Sequence, residues 1–260
     1  MKKLLSVFFF TAFAAQAQTC PDKSINYWQA FPAGGESDLS GRHQQLVLKK
    51  RCPAIETVIQ YKPGAGGGLM WAQMNQLAGD GTHIVGVNLP HIVFQPIEGQ
   101  VQYQTADVTP VFWFHYTPDA LVVQESSPIK SFADFVKTAK AQPDKLSLGG
   151  SGLNSANHAA HEHMNAAFGF KTTYVPFKGT GDMTTAVIGG HVSGAMSYTA
   201  FAINNKGKVR ALNHDPEMKE LAAKSGFELV NVGVEEMDPF MKEKIKLYTE
   251  GASRLGLGKK

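Results

Sequence analysis

Phe31-Pro32-Ala33-Gly34-Gly35-Glu36-Ser37-Asp38 is the stretch from which the fold is read. It follows a strand expected over Ile25 to Phe31 and precedes a helix expected from about Leu39 to Lys50, with Leu39, Val47 and Leu48 among its apolar positions. Gly34 and Gly35 permit a tight turn and leave no Cβ between backbone and ligand. Ser37 or Asp38 is the expected N-cap. The first amides of such a helix have no internal partners, which makes the turn a natural anion site anchored by the amides of Gly34 to Ser37.

The same grammar recurs. A strand over Ile55 to Tyr61 leads into Lys62-Pro63-Gly64-Ala65-Gly66-Gly67-Gly68 and a helix expected from Leu69 to Leu77. Leu146 to Leu148 leads into Gly149-Gly150-Ser151-Gly152-Leu153-Asn154-Ser155 and a helix over Ala156 to Phe168. Thr172 to Pro176 leads into Lys178-Gly179-Thr180-Gly181-Asp182 and a helix over Met183 to Ile188. Further strands are expected at His83 to Asn88, Val111 to Phe114, Ala120 to Gln124, Val192 to Ser197 and Val209 to Leu212. A capped helix begins at Ser131 with Asp134 three residues on. Pro90 to Thr109 reads as loop, although Asn88 to His91 can border a cleft. The C-terminal part reads as a helix near Glu217 to Ser225, a strand at Phe227 to Val232 and a helix near Asp238 to Arg254. Alternating strands and helices predict parallel α/β sheets, with ligands beyond the carboxyl ends of the strands where the glycine turns lie. Two facing α/β lobes with a cleft between them follow.

Residues 1–17 are excluded from the fold. Lys2 and Lys3, an apolar run from Leu4 to Ala14 and Ala15-Gln16-Ala17 form a secretory signal peptide cleaved after about Ala17. Removing it takes away two lysines and no acids, so the formal charge of +3 becomes +1. No basic stripe is left for nucleic acid or an anionic membrane. Cys20 and Cys52 are the two cysteines of the chain, and in an exported protein they are most simply one disulfide.

Several chemistries are weighed and set aside. Gly64 to Leu69 puts leucine where a dinucleotide fingerprint needs its third glycine, and there is no P-loop. Ser151 lacks the following glycine of a nucleophile elbow, since position 153 is leucine. His158, His161 and His163 crowd one helix, but no carboxylate or cysteine is spaced to complete a metal set. His158 is expected near the Ser155 turn and the other two on the surface. Trp28, Trp71, Trp113, Phe112 and Phe114 are expected in the core, and so is Phe31, although its place before the turn also lets it wall a pocket. Neither cofactor nor metal is expected. Three turns, at 34–35, 150–152 and 179–181, bring hydroxyl residues Ser37, Ser151, Ser155 and Thr180, with Lys178 as the one nearby cation. Converging amides and hydroxyls suit a carboxylate.

At these residues the chain resembles the tripartite tricarboxylate transporter receptors, the Bug-type periplasmic solute-binding proteins. The resemblance rests on residues 31–38 and 62–67, on Asp107 to Val111, on 151–155 with His158, on 175–179 and 189–192, and on Val209-Arg210-Ala211-Leu212, all in family order. It implies two Rossmann-like lobes of the type II periplasmic binding protein kind. A small organic acid would be captured between them and delivered to a membrane permease, and the receptor would be a monomer. Carried over by motif, the ligand contacts are Phe31, Gly34, Gly35, Glu36, Ser37, Asp38, Ser151, Ser155, Lys178, Gly179 and Thr180. The lobes would divide as 18–117 with about 232–260, and 118–231. Asn154 stands where the family has a glycine; Asn tolerates the left-handed geometry required. Asp182 adds a carboxylate that could repel an acid or bind an amine. After Leu212 a segment of the family's length is missing, which implies an incomplete second lobe. Two other classes remain open at this point: an exported serine hydrolase using Ser151, and a sensor presenting its solute to a membrane kinase.

Overall fold

The computed structural model describes residues 20–98, 101–113, 119–212 and 234–254. The signal peptide, Phe114, and the helix and strand expected between Glu217 and Val232 lie outside these residues.

Two sheets form the frame. In the first, β1 (Ile25–Gln29) lies between β2 (Thr57–Tyr61) and β3 (His83–Val85), all parallel. The second has the order β6-β5-β7-β4-β8, built from β4 (Asp119–Gln124), β5 (Ser147–Gly150), β6 (Thr173–Pro176), β7 (Gly194–Tyr198) and β8 (Val209–Ala211). Here the all-parallel expectation is corrected, because β4 runs antiparallel to both β7 and β8. The two-lobed α/β class stands.

The second sheet is buried on both faces, as its near-continuous apolar β4 requires. Leu121 and Val123 join Phe132, Phe135 and Leu148 on one face. Ala120 and Val122 join Met183, Val187 and Phe201 on the other. The first face carries α4 (Phe132–Ala141) and α5 (Ala156–Phe168); the second carries α6 (Thr180–Ile188) and α7 (Thr199–Asn204). The capping box of α4 forms as read. The Asp134 amide donates to Ser131 Oγ at 3.0 Å and the Ser131 amide to Asp134 Oδ2 at 3.1 Å.

The first lobe departs more from its reading. Its helix α1 spans Glu36–Arg51 and buries only Asp38 and Gly41. A Cβ at Gly41 would come within 2.5 Å of Gln29 Nε2 and 2.9 Å of Tyr27 Cε1, so glycine is what lets α1 lie this close to β1. Leu46 and Val47 point to solvent instead. The helix expected from Leu69 to Leu77 is only α2 (Gly68–Trp71), between two 3₁₀ turns. Left-handed Gly66 and Gly67 precede it, and the chain reopens once the Trp71 indole has donated to Gly86 O at 3.0 Å. The loop expected after Pro90 is in fact a helix, α3 (His91–Ile97). Pro90 and Pro96 obscure its signal. Ile92, Val93 and Phe94 are all buried, and that packing outweighs the hydrogen bond Pro96 cannot make. The last helix, α8 (Val234–Arg254), returns to this lobe and packs on α3, with Tyr248 edge-on to Phe94 at 6.0 Å. No strand forms at 111–113; Val111 and Phe112 are more than half exposed, so Phe112 is not core. Trp71 is fully buried, and Trp28 and Trp113 pack at the edges of clusters.

Cys20 and Cys52 are bonded, with Cα atoms 5.7 Å apart. The bond ties the chain before β1 to the C-cap of α1. Replacing both cysteines by serine is expected to cost roughly 3–4 kcal/mol by loop-closure entropy. The denaturant midpoint should fall, and the slope should rise, because the uncrosslinked unfolded chain exposes more surface.

Candidate functional site

The glycine turns of the two lobes meet. Gly35 is the N-cap of α1 and Gly179 that of α6, which corrects the expected Ser37 or Asp38 cap. The Glu36 amide donates across the lobes to Thr180 Oγ1 at 3.0 Å. A Cβ on Gly35 would stand 3.0 Å from that same oxygen. One on Gly179 would stand 2.7 Å from Pro32 Cδ, and one on Gly152 3.0 Å from Gly66 Cα. The lobes touch backbone to backbone at several places, and glycine at each makes the approach possible.

Asp38 turns back on its own turn. Its Oδ2 accepts the Gly34 amide at 2.7 Å and Arg42 Nε at 3.0 Å, and Oδ1 accepts the Tyr61 hydroxyl at 2.5 Å. Gly34 sits at φ +80°, where only glycine is unstrained. Burial by itself would raise the Asp38 pKa. The hydrogen bonds from Tyr61, Gly34 and Arg42 outweigh it and hold the carboxyl below its ordinary range. Two of the amides expected to anchor an anion, Gly34 and Glu36, are therefore engaged by Asp38 and Thr180. Ser37 is partly buried on the first turn of α1.

In the second lobe Ser151 and Ser155 build the turn before α5. Ser151 Oγ donates to Asn157 Oδ1 at 2.6 Å, and the Ser151 amide reaches the same oxygen at 3.1 Å. Ser155 Oγ donates to Gly152 O at 2.9 Å and accepts the His158 amide at 3.1 Å. Asn154 takes φ 55°, the left-handed geometry read for it. Ser151 Oγ bonds an amide oxygen rather than a general base, which removes the geometric basis of a hydrolase. Lys178 is exposed and does not line the cavity between α1, α6 and α7.

Gly34, Gly35, Glu36, Asp38 and Thr180 line a cavity of about 240 Å³ between α1, α6 and α7, together with Leu39, Arg42, Thr184, Ala200 and Phe201. Phe31, Ser151 and Ser155 do not line it; all three are buried. Phe31 lies edge-on to His91 at 5.6 Å and to Trp71 at 6.3 Å.

Reading the sequence missed four contributors. Tyr174 OH donates to Gly152 O at 2.8 Å and lies 3.2 Å from Ser155 Oγ, clamping the turn. Asn157 holds Ser151 and, at 3.4 Å, Asp119. Gln95 Nε2 donates to Leu153 O at 2.8 Å and so joins the lobes a second time. Asp119 opens β4 opposite Tyr198. It keeps some accessible surface, but the packing around its carboxyl desolvates it. That burial raises its pKa to about 7, against the Asn157 hydrogen bond and with help from the Glu36 charge. A position two residues past a serine cap was the one available signal for Asn157. The others depend on register and lobe contact, which spacing does not reveal.

Of the three clustered histidines only His163 is exposed as expected among the pair read as surface. His161 is 1% exposed, with Thr172 Oγ1 2.9 Å from its Nε2 and Glu162 Oε1 2.8 Å from its Nδ1. These partners allow its burial. His158 Nδ1 accepts the Asn154 amide at 3.2 Å beside the Ser155 turn. Among the described residues no group of three or more His, Cys, Asp or Glu could hold a metal, and no helix is long and apolar enough to cross a membrane.

Because the folded-state pKa of Asp119 lies above its unfolded value, the folded chain binds the proton more tightly. Stability therefore falls as pH rises from about 4 to 7. Asp119→Asn should flatten this fall, raising stability at pH 8 and changing it little at pH 4, by chemical denaturation at each pH.

A family model described as tripartite tricarboxylate transporter family receptor matches residues 42–237. A UPF0065 protein of Cupriavidus necator is 28% identical over 233 residues, covering 87% of this chain and 70% of that protein. Two further curated relatives are spanned over only 52% and 53% of their length. Among solved structures, an R. palustris protein with adipate matches with a TM-score of 0.76 at 19% identity, over 91% of this chain and 98% of that one. MatC of Rhodopseudomonas palustris, with bound malate, matches with a TM-score of 0.70 at 22% identity, over 90% and 85%. At these identities the two structures speak for the fold.

Proposed function

Because the chain belongs to the tripartite tricarboxylate transporter receptor family, we propose that it is a periplasmic receptor which closes two lobes on a small carboxylate and delivers it to a membrane permease. The observation that carries this reading is the meeting of helix beginnings from both lobes. The starts of α1 and α6 are joined by the Glu36–Thr180 bond, and the turn before α5 is held by Gln95 from across the cleft. First-turn amides favour negative charge nearby. That of Glu36 is held by Thr180 Oγ1, and the Gly34 amide just before the helix is held by the Asp38 carboxylate. In this reading a ligand carboxylate displaces the Thr180 hydroxyl from the Glu36 amide and keeps Asp38 as the brace of the turn.

Export through the signal peptide at residues 1–17 places the receptor in the periplasm, where the Cys20–Cys52 bond persists. In this reading the lobes divide as 18–117 with about 232–260, and 118–231, a division that the packing of α8 on α3 supports. Adipate and malate, carried by structures of the same fold, define the first acids to try. A hydrolase is set aside by the Ser151–Asn157 bond, and the chain is a solute-binding protein, not an enzyme.

The test is a thermal-shift screen over dicarboxylates, tricarboxylates, aromatic acids and amino acids. A bound acid at a hundredfold excess over its Kd should raise Tm by about 5–10 °C. Gly179→Val, which drives a side chain into Pro32, should abolish that rise; His163→Ala, on the surface, should leave it intact. Normal ligand stabilisation of the Gly179→Val protein would refute the site. Uptake of the acid by cells lacking this protein would refute delivery to a permease.

A further inference from the structure

His91 and Gln95 stand four residues apart on α3 and share a helix face. The Gln95 amide reaches Leu153 O of the other lobe, so this face is turned toward the cleft. The His91 ring lies against Phe31 at 5.6 Å and Trp71 at 6.4 Å. Phe31 in turn borders the other interlobe approach, since a Cβ on Gly179 would stand 3.7 Å from Phe31 Cβ. His91 thus lies behind Phe31 on the first-lobe side, between two places where the lobes touch, and not on the wall of the cavity between α1, α6 and α7.

Its imidazole is 1% exposed, and neither ring nitrogen makes a well-formed hydrogen bond among the described residues, the Leu89 carbonyl lying close enough only for a weak one. The protein treats comparable rings otherwise. His161, equally buried, is held by Thr172 and Glu162; His158 accepts the Asn154 amide; Trp71 donates to Gly86 O. Buried polar atoms are as a rule paired, and one left unpaired beside a site calls for an account. A side chain kept only to fill this apolar corner would serve better without its nitrogens.

We propose that His91 is a ligand-reading residue of the interlobe site, its ring donating a hydrogen bond to an oxygen of the bound solute. This rests on the solute-receptor reading. Burial pushes the His91 pKa down to about 3, with the nearby Leu89 carbonyl opposing, so the ring is neutral under any ordinary condition. It therefore offers one donor and one acceptor and no charge. Recognition by such a ring is directional and insensitive to pH across the range in which free histidine titrates.

The test combines ring spectra with substitution. The ¹⁵N-labelled protein is titrated with malate, adipate, succinate, citrate and glutamate, while the backbone amides of Gly35, Gly179 and Thr180 and the imidazole nitrogens of His91 and His161 are followed. With at least one acid the amides and the His91 nitrogens should shift together, and those of His161 should stay. His91→Leu should weaken binding of that acid tenfold or more, yet leave the ligand-free Tm unchanged or higher. If the amides shift while the His91 ring does not, and His91→Leu binds normally, the inference fails and the receptor reading survives. A lowered ligand-free Tm in His91→Leu with unchanged affinity would assign the ring a structural task and likewise overturn it. If neither amides nor ring respond to any of the five acids, both readings fall.

Discussion

The arrangement depends on polypeptide backbones approaching one another with no side chain between them. Gly35, Gly152 and Gly179 stand where the two lobes meet, and at each a single added carbon would press on the opposite lobe. Glycine is costly in the unfolded chain and gives nothing to a core. Concentrating it at the ends of strands makes sense only if the contact it permits is needed. What that contact provides is a direct meeting of the start of α1 with the start of α6, where the Glu36 amide donates to Thr180.

Around this constraint the polar side chains act as braces. Asp38 binds its own turn through Gly34, Arg42 and Tyr61. Asn157, Ser155 and Tyr174 do the same for the turn before α5. The second lobe supports its braces on a sheet buried on both faces, whereas the first leans on an aromatic cluster of Phe31, Trp71 and Tyr103. The rigidity of each turn thus comes from a different source, hydrogen bonds nearest the cleft and apolar packing behind them.

Much of this was legible in the sequence because strand–glycine–helix grammar is local. The turns at 34–35, 150–152 and 179–181, the Ser131 box and the left-handed Asn154 all follow from residues within a few positions of one another, and the disulfide from there being two cysteines in an exported chain. The failures share the opposite character. Asp38 was read as a possible cap because its sequence place suits one, but Tyr61 and Arg42 draw it backward. α3 was read as a loop because two prolines mask a helix that tertiary burial of Ile92, Val93 and Phe94 secures. His161 was read as surface because its partner Thr172 lies eleven residues on, beyond any helical spacing. The antiparallel β4 likewise depends on which way the chain enters the second sheet, which alternation of elements leaves open.

The bond between Cys20 and Cys52 fastens one end of α1, and the turn that meets the other lobe is at the opposite end. The sixteen-residue helix is about 24 Å long, so the covalent anchor and the Gly35 tip stand that far apart. Between them the helix is held to the strands beneath it by Gly41 on β1 and by Gln45 on Thr57, and its tip by Asp38 and Arg42 on Tyr61. The covalent tie therefore fixes only the tail, and the reach of the tip toward the second lobe is set by non-covalent bonds to a single tyrosine of β2.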